Sequence, residues 1–169
     1  MKNLVLVAGL MLLAVSFRFF PHPMNFTPVL AMALMAGRWT KTPLGLSLPV
    51  FAMFLSDVLI GFSSISLVVY ASIGLIYLMG AWMNSGSYKT IGIQAFLSSV
   101  LFFFVTNAGV WMMTTAYEPG WKGLMASYVA GIPFFHNTLL GTLVFSLGLE
   151  WVYRKSVAKL NLNPSFKAY

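Results

Sequence analysis

The sequence predicts an all-α protein, a polytopic membrane helical bundle of about six transmembrane helices. Hydrophobic residues fill 59% of the 169 positions, charged residues 8%, and mean hydropathy is +0.85. Soluble domains carry roughly a quarter charged residues, so a water-exposed surface cannot be covered by this composition. A bilayer removes the need, because lipid-facing positions must be apolar. The apolar stretches also recur near the length of about 20 residues that crosses a membrane. The breaks between them hold Pro, Gly, Ser, Asn and basic residues.

Taken in order, the first span runs from Asn3 to Phe20. Lys2 and the apolar run behind it resemble a signal peptide, with Ala14-Val15-Ser16 as a cleavage site. Arg18 and a motif-rich loop follow at once, so a retained first helix is expected. Pro21-His22-Pro23-Met24-Asn25 is a turn, since its prolines cannot continue a helix. The second span is short, Phe26 to Trp39, and Arg38, Trp39 and Lys41 are expected at a membrane interface. The third is Leu44 to Phe62 with Pro49 as a kink, and Ser63-Ser64 turns into the fourth, Ile65 to Met83. Asn84-Ser85-Gly86-Ser87 is a polar loop, and the fifth span is Thr90 to Thr115. Tyr117-Glu118-Pro119-Gly120 is a turn by composition. Trp121 to Ile132, about 18 Å of helix, is too short to cross and is expected as a cap or re-entrant helix ending at Pro133. The sixth span is Asn137 to Tyr153. The chain thus divides into one transmembrane domain, 1–153, and a short basic cytoplasmic tail, 154–169.

Ten Lys and Arg stand against three acidic residues. Scattered through short loops, they indicate membrane topology rather than nucleic-acid binding. With both termini cytoplasmic, eight of the ten lie inside and only Arg18 and Lys122 outside, the distribution expected of an inner-membrane protein. There is no cysteine, so disulfides and thiolate metal sites are excluded. No phosphate-binding loop, G-x-S-x-G elbow or H-E-x-x-H spacing is present. An enzyme is not expected, nor a cofactor or a metal. A site from His22, His136 and Asp57 has no supporting spacing.

On this topology the costly polar side chains gather at the outer end. Arg18, His22 and Asn25 lie between spans one and two, Asp57 near the end of span three, and Asn107 in span five with Trp111 one turn on. Tyr128, His136 and Asn137 belong to the expected cap. Such convergence suits an outward pocket walled by aromatics with a few placed polar groups. The substrate-binding residues it nominates are Arg18, His22, Asn25, Asp57, Asn107, Trp111, Tyr128 and His136. Arg18 can grip a carboxylate or phosphate, and equally can snorkel or pair with Asp57. Asn107 can instead join two helices, Trp111 can sit in an interfacial belt, and His22 can order its own loop. Ala33 and Gly37 have the small-residue spacing of a close helix contact and are expected to face lipid or a partner.

The stretches Arg18-Phe19-Phe20-Pro21-His22-Pro23-Met24-Asn25-Phe26-Thr27-Pro28, Leu55-Ser56-Asp57-Val58-Leu59-Ile60-Gly61 and Thr106-Asn107-Ala108-Gly109-Val110-Trp111 resemble the hallmarks of an uncharacterised family of small bacterial membrane proteins. Tyr128 and Ile132-Pro133-Phe134-Phe135 belong to the same resemblance. In architecture the chain is similar to the substrate-binding S components of energy-coupling-factor (ECF) transporters. That likeness implies six helices, an outward vitamin-binding pocket, and transmembrane and ATPase subunits as partners. The first helix departs from the pattern, because Ala8, Gly9 and Ala14 do not supply the Ala-x-x-x-Ala that many S components use for docking. The expected function is therefore a membrane-embedded substrate-binding subunit of a micronutrient uptake transporter, with the lipid bilayer and a small-molecule ligand as further partners. The alternative is a scaffold or assembly subunit of a larger complex.

Overall fold

A computed structural model describes residues 2–83 and 86–161, apart from the side chains of residues 2–4 and of Arg18. Among these residues there are six α-helices and no strand: α1 (Lys2–Ser16), α2 (Val29–Thr40), α3 (Pro43–Ile60), α4 (Ser66–Trp82), α5 (Tyr88–Met113) and α6 (Trp121–Lys159). A single 3-10 turn, Phe17–Phe19, follows α1. Asn84 and Ser85 of the expected polar loop, and Lys167 of the tail, lie outside the described residues.

Local chemistry sets the helix ends. Pro28 precedes α2, and Lys41 closes it in the left-handed conformation, φ 51°. Thr42 then caps α3, accepting a 3.2 Å bond from the Gly45 N–H, with Pro43 in the first turn where its missing N–H costs nothing. Gly61, at φ 112°, ends α3. Ser87 caps α5 through the Lys89 N–H at 3.2 Å. Gly120, at φ 95°, turns the chain into α6.

Three helices are long and apolar enough to cross a membrane, α3, α5 and α6; about six were expected. α1, α2 and α4 are shorter apolar helices. A second difference concerns α6. The expected cap and the sixth span form one helix of 39 residues, about 58 Å long. Pro133 sits inside it instead of ending it. An interior proline forfeits a backbone bond, at a cost of about 3 kcal/mol. The helix continues because α5 runs antiparallel beside both halves. Ser127 Oγ donates to Asn107 O at 3.2 Å before the proline, and beyond it Arg154 lies over the Tyr88 ring and donates to Gly86 O just ahead of α5.

The third difference is α2. Every residue from Leu30 to Trp39 is buried, so the shortest central helix lies at the core of the bundle, in contact with all five others. Its closest neighbour is α4. A Cβ on Gly37 would collide with the Tyr77 carbonyl, and one on Gly80 with the Leu34 carbonyl. The two backbones therefore touch with no side chain between them. Ala33 and Gly37, expected to face lipid, are enclosed. The outside of the bundle is apolar instead: Val5, Leu13, Leu59, Leu67, Val129 and Val144 are all exposed.

Gly37→Ala is expected to cost about 1–3 kcal/mol by overpacking against rigid backbone, read as thermal melting in detergent. Gly74, inside α4 with open space around its Cβ position, is the control, and Gly74→Ala should leave stability unchanged or raise it by up to about 1 kcal/mol.

Candidate functional site: an aromatic cavity and a buried ionic cluster

The segment between α1 and α2 is folded back on itself. Asn25 takes the left-handed conformation, φ 63°, which asparagine tolerates better than most residues. His22 Nδ1 donates to Phe20 O at 2.6 Å, so this histidine orders its own loop. Asn137 on α6 donates to Met24 O at 3.0 Å. Gly141 lets the Phe26–Thr27 backbone lie against the same helix, since an added Cβ would come to 3.2 Å from Thr27 N. The loop is thereby fixed across α6, with Asn25 at its rim.

Beneath that rim are two adjoining cavities. The first, about 250 Å³, is walled by Phe102, Phe103, Phe134 and Phe135 and carries Asn25, Thr106, Asn107 and Thr138. The second, about 160 Å³, shares Asn25, Phe102 and Thr138 and adds Thr27, Thr142 and the α2 start at Val29 and Leu30. Among the described residues, neither lining contains a charged side chain. Asn107 Nδ2 donates to Phe103 O at 2.8 Å, which fixes the amide against Gly131. A side chain at position 131 would drive that amide aside.

The structure brings two of the nominated residues together in this cavity, Asn25 and Asn107. Tyr128 stands one layer behind, packed on Phe103 and Phe104 and donating to Phe104 O at 3.3 Å. Asp57 is buried and accepts from the Tyr70 hydroxyl at 2.8 Å. Trp111 donates to Glu118 O at 3.1 Å and borders a separate, open depression with Tyr117 and Glu118. His136 is exposed beside Phe135. The Arg18 side chain lies outside the described residues. No three of His, Cys, Asp and Glu converge among the described residues.

The opposite end of the bundle holds a polar cluster that the sequence reading missed. Arg38, Gln94 and Glu150 are at most 1% exposed. Arg38 donates to Gln94 Oε1, and Gln94 Nε2 donates to Met79 O at 3.2 Å and Met83 O at 3.0 Å. The Trp39 indole donates to Glu150 Oε2 at 2.8 Å, and Arg154 Nε donates to Oε1 of the same carboxylate at 2.8 Å. Arg154 also lies 4.5 Å from the Tyr88 ring centroid, and Tyr153 stacks on Trp39. Arg38 and Trp39 are thus interior groups, whereas the sequence reading put them at an interface. A signal for this was present. From Thr138, every fourth residue of α6 is polar: Thr138, Thr142, Ser146, Glu150, Arg154. That spacing draws one line along a helix face.

A family profile matches residues 1–160 of the chain. The chain belongs to the family of unknown function DUF6580. The match to DUF6580 takes in both the cavity and the ionic cluster. No curated protein and no solved structure matched the chain.

Removing the buried Glu150 carboxylate takes the ion-pair partner from part-exposed Arg154 and the acceptor from the buried Trp39 N–H. Glu150→Ala should therefore destabilise the protein by about 3–5 kcal/mol. Trp39→Phe, which deletes one hydrogen bond to a charged acceptor, should cost about 1.5–3 kcal/mol. Thermal melting in detergent measures both, and a Glu150→Ala melt matching the native one contradicts the assignment.

Proposed function

We propose that the chain is the substrate-binding membrane subunit of an uptake transporter for a small, uncharged, micronutrient-like solute. The carrying observation is the cavity itself. Aromatic walls with neutral amide and hydroxyl groups suit a flat, partly apolar molecule with a few hydrogen-bonding atoms. The absence of charge among the described lining residues favours a neutral solute, since an ion would need a partner in so apolar a site. The first turn of α2 borders the second cavity. Its unsatisfied N–H groups would favour a carbonyl or similar acceptor on the ligand.

A six-span bundle like that of an ECF S component is consistent with these features. α3, α5 and α6 have the length and composition to span. α1 and α4, at 15 and 17 residues, fall just short of that length, and all of these surround α2. Trp121 and Trp151, both exposed on α6, lie 30 residues apart. That is about 45 Å, close to the thickness of a bilayer with its headgroups, as two interfacial belts require. Lys41, Lys89, Lys155 and Lys159 are all exposed at the ionic-cluster end and Lys122 near the cavity end. By the positive-inside bias the cavity then faces outward and both termini face the cytoplasm. Energy would come from partner subunits, transmembrane and ATPase. The scaffold alternative loses the docking face once assigned to it, because Ala33 and Gly37 are buried.

Thermal-shift screening of the purified protein against vitamins and nucleobase-like compounds tests this. At least one neutral compound should raise the melting temperature, and Asn107→Ala should weaken its binding about tenfold, the effect of one lost hydrogen bond of about 1–1.5 kcal/mol. No shift from any compound, or binding unaffected by Asn107→Ala, overturns the proposal.

A further inference from the structure

The helices pair into two bodies. α2 and α4 are locked backbone to backbone at Gly37 and Gly80. α5 and α6 share the most extensive interface in the bundle, from Ser127 and Asn107 at one end to Arg154 and Gly86 at the other. The cavities lie on the seam between these bodies. Val29, Leu30, Ile65 and Val69 line them from the α2–α4 side, and Phe102, Thr106, Asn107, Thr138 and Thr142 from the α5–α6 side.

The ionic cluster closes the other end of the same seam. Arg38 and Trp39 come from α2 and the Met79 carbonyl from α4; Gln94 comes from α5, and Glu150 and Arg154 from α6. Every long-range bond of the cluster described above crosses from one body to the other, except that of Arg154 to Gly86. Between cavity and cluster the seam stays polar. Thr142 borders the second cavity and Glu150 lies eight residues further on, about 12 Å along α6. Ser146 stands midway on the same face, and Ser98 stands one turn from Gln94 on α5. Both serines are fully buried, and neither hydroxyl has a hydrogen-bond partner in the protein. Buried hydroxyls are otherwise nearly always satisfied. Their neighbours show the usual solution: Ser99 bonds to the Ala95 carbonyl and Thr142 to the Thr138 carbonyl.

We infer that the seam between the α2–α4 and α5–α6 pairs is the route by which a solute leaves the cavity toward the basic end. The Arg38–Trp39–Gln94–Glu150–Arg154 cluster is the gate that closes it. Ser98 and Ser146 supply hydrogen bonds to water or solute along the route. Release then occurs by separation of two halves of this chain. The inference rests on the proposed function only in taking the cavity as the loading site. Its test needs no ligand, so the two readings fail separately.

The absence of cysteine makes the test direct. Ser98→Cys and Ser146→Cys are each placed in the native background, in Glu150→Gln and in Trp39→Phe. Inside-out vesicles are treated with the membrane-impermeant thiol reagent MTSET, a small cation that reaches only the basic face. In the native background both positions should be protected. In Glu150→Gln the modification rate of each should rise at least tenfold, and Trp39→Phe should shift it the same way to a smaller extent. Ala52→Cys, buried on α3, which belongs to neither pair, reports general loosening and should stay protected throughout. Unchanged rates at positions 98 and 146, or an equal rise at position 52, overturn the inference. Where Glu150→Gln yields no folded protein, the Trp39→Phe comparison decides alone by the same criteria.

Discussion

The arrangement depends on the enclosure of α2. A helix of 12 residues, about 18 Å long, is too short to cross a bilayer and would leave its backbone ends in hydrocarbon. Packing it inside the other five removes that difficulty, because irregular backbone at membrane depth is tolerated where protein surrounds it. Gly37 and Gly80 make the enclosure possible by letting two backbones meet. The same helix then meets a polar region at each end. Its start, with Asn25 and Thr27 just before it, borders the cavities, and its end carries Arg38 and Trp39 into the ionic cluster.

The two polar regions differ in kind. Among the described residues the cavity lining is neutral and aromatic, and its amides and hydroxyls are placed without formal charge. The other end gathers two guanidinium groups, buried Arg38 bonded to Gln94 and part-exposed Arg154 paired with the buried Glu150 carboxylate. Burying such charges is expensive unless geometry and extra hydrogen bonds compensate. Here Gln94, Trp39 and the Met79 and Met83 carbonyls supply those bonds. A cluster that is costly to build and spans the seam has a physical reason to be more than a fastening.

Much of the helix pattern was legible in the sequence, because prolines, glycines and polar pairs mark the breaks. Pro43 and Gly120 lie at helix ends as their chemistry requires, while Gly61, read as part of the third span, ends α3 at Ile60. Pro133 misled because a proline is a local signal, whereas the continuity of α6 is held by contacts with α5 distant in sequence. Arg38-Trp39 misled for a related reason. A basic residue beside tryptophan is also the mark of a membrane interface, and burial is not encoded locally. Asn25 and Asn107 were recognisable as costly polar groups, and the structure brings them to one cavity. Asp57, Trp111 and His136 were equally costly on paper but meet Tyr70, Glu118 and the surface instead. Gln94 gave no signal as a lone amide. Glu150 was legible in the four-residue rhythm of α6, which points inward where an isolated acid does not.

In the proposed transport role the aromatic cavity opens away from the cytoplasm and the lysine-bearing end faces it. Single Asn25→Cys, Glu118→Cys and Lys159→Cys variants of this cysteine-free chain, treated in intact cells with an impermeant maleimide, report that orientation. Labelling at positions 25 and 118 at once, and at position 159 only after permeabilisation, is the predicted result. The reverse pattern, with position 159 labelled in intact cells and the other two protected, contradicts it.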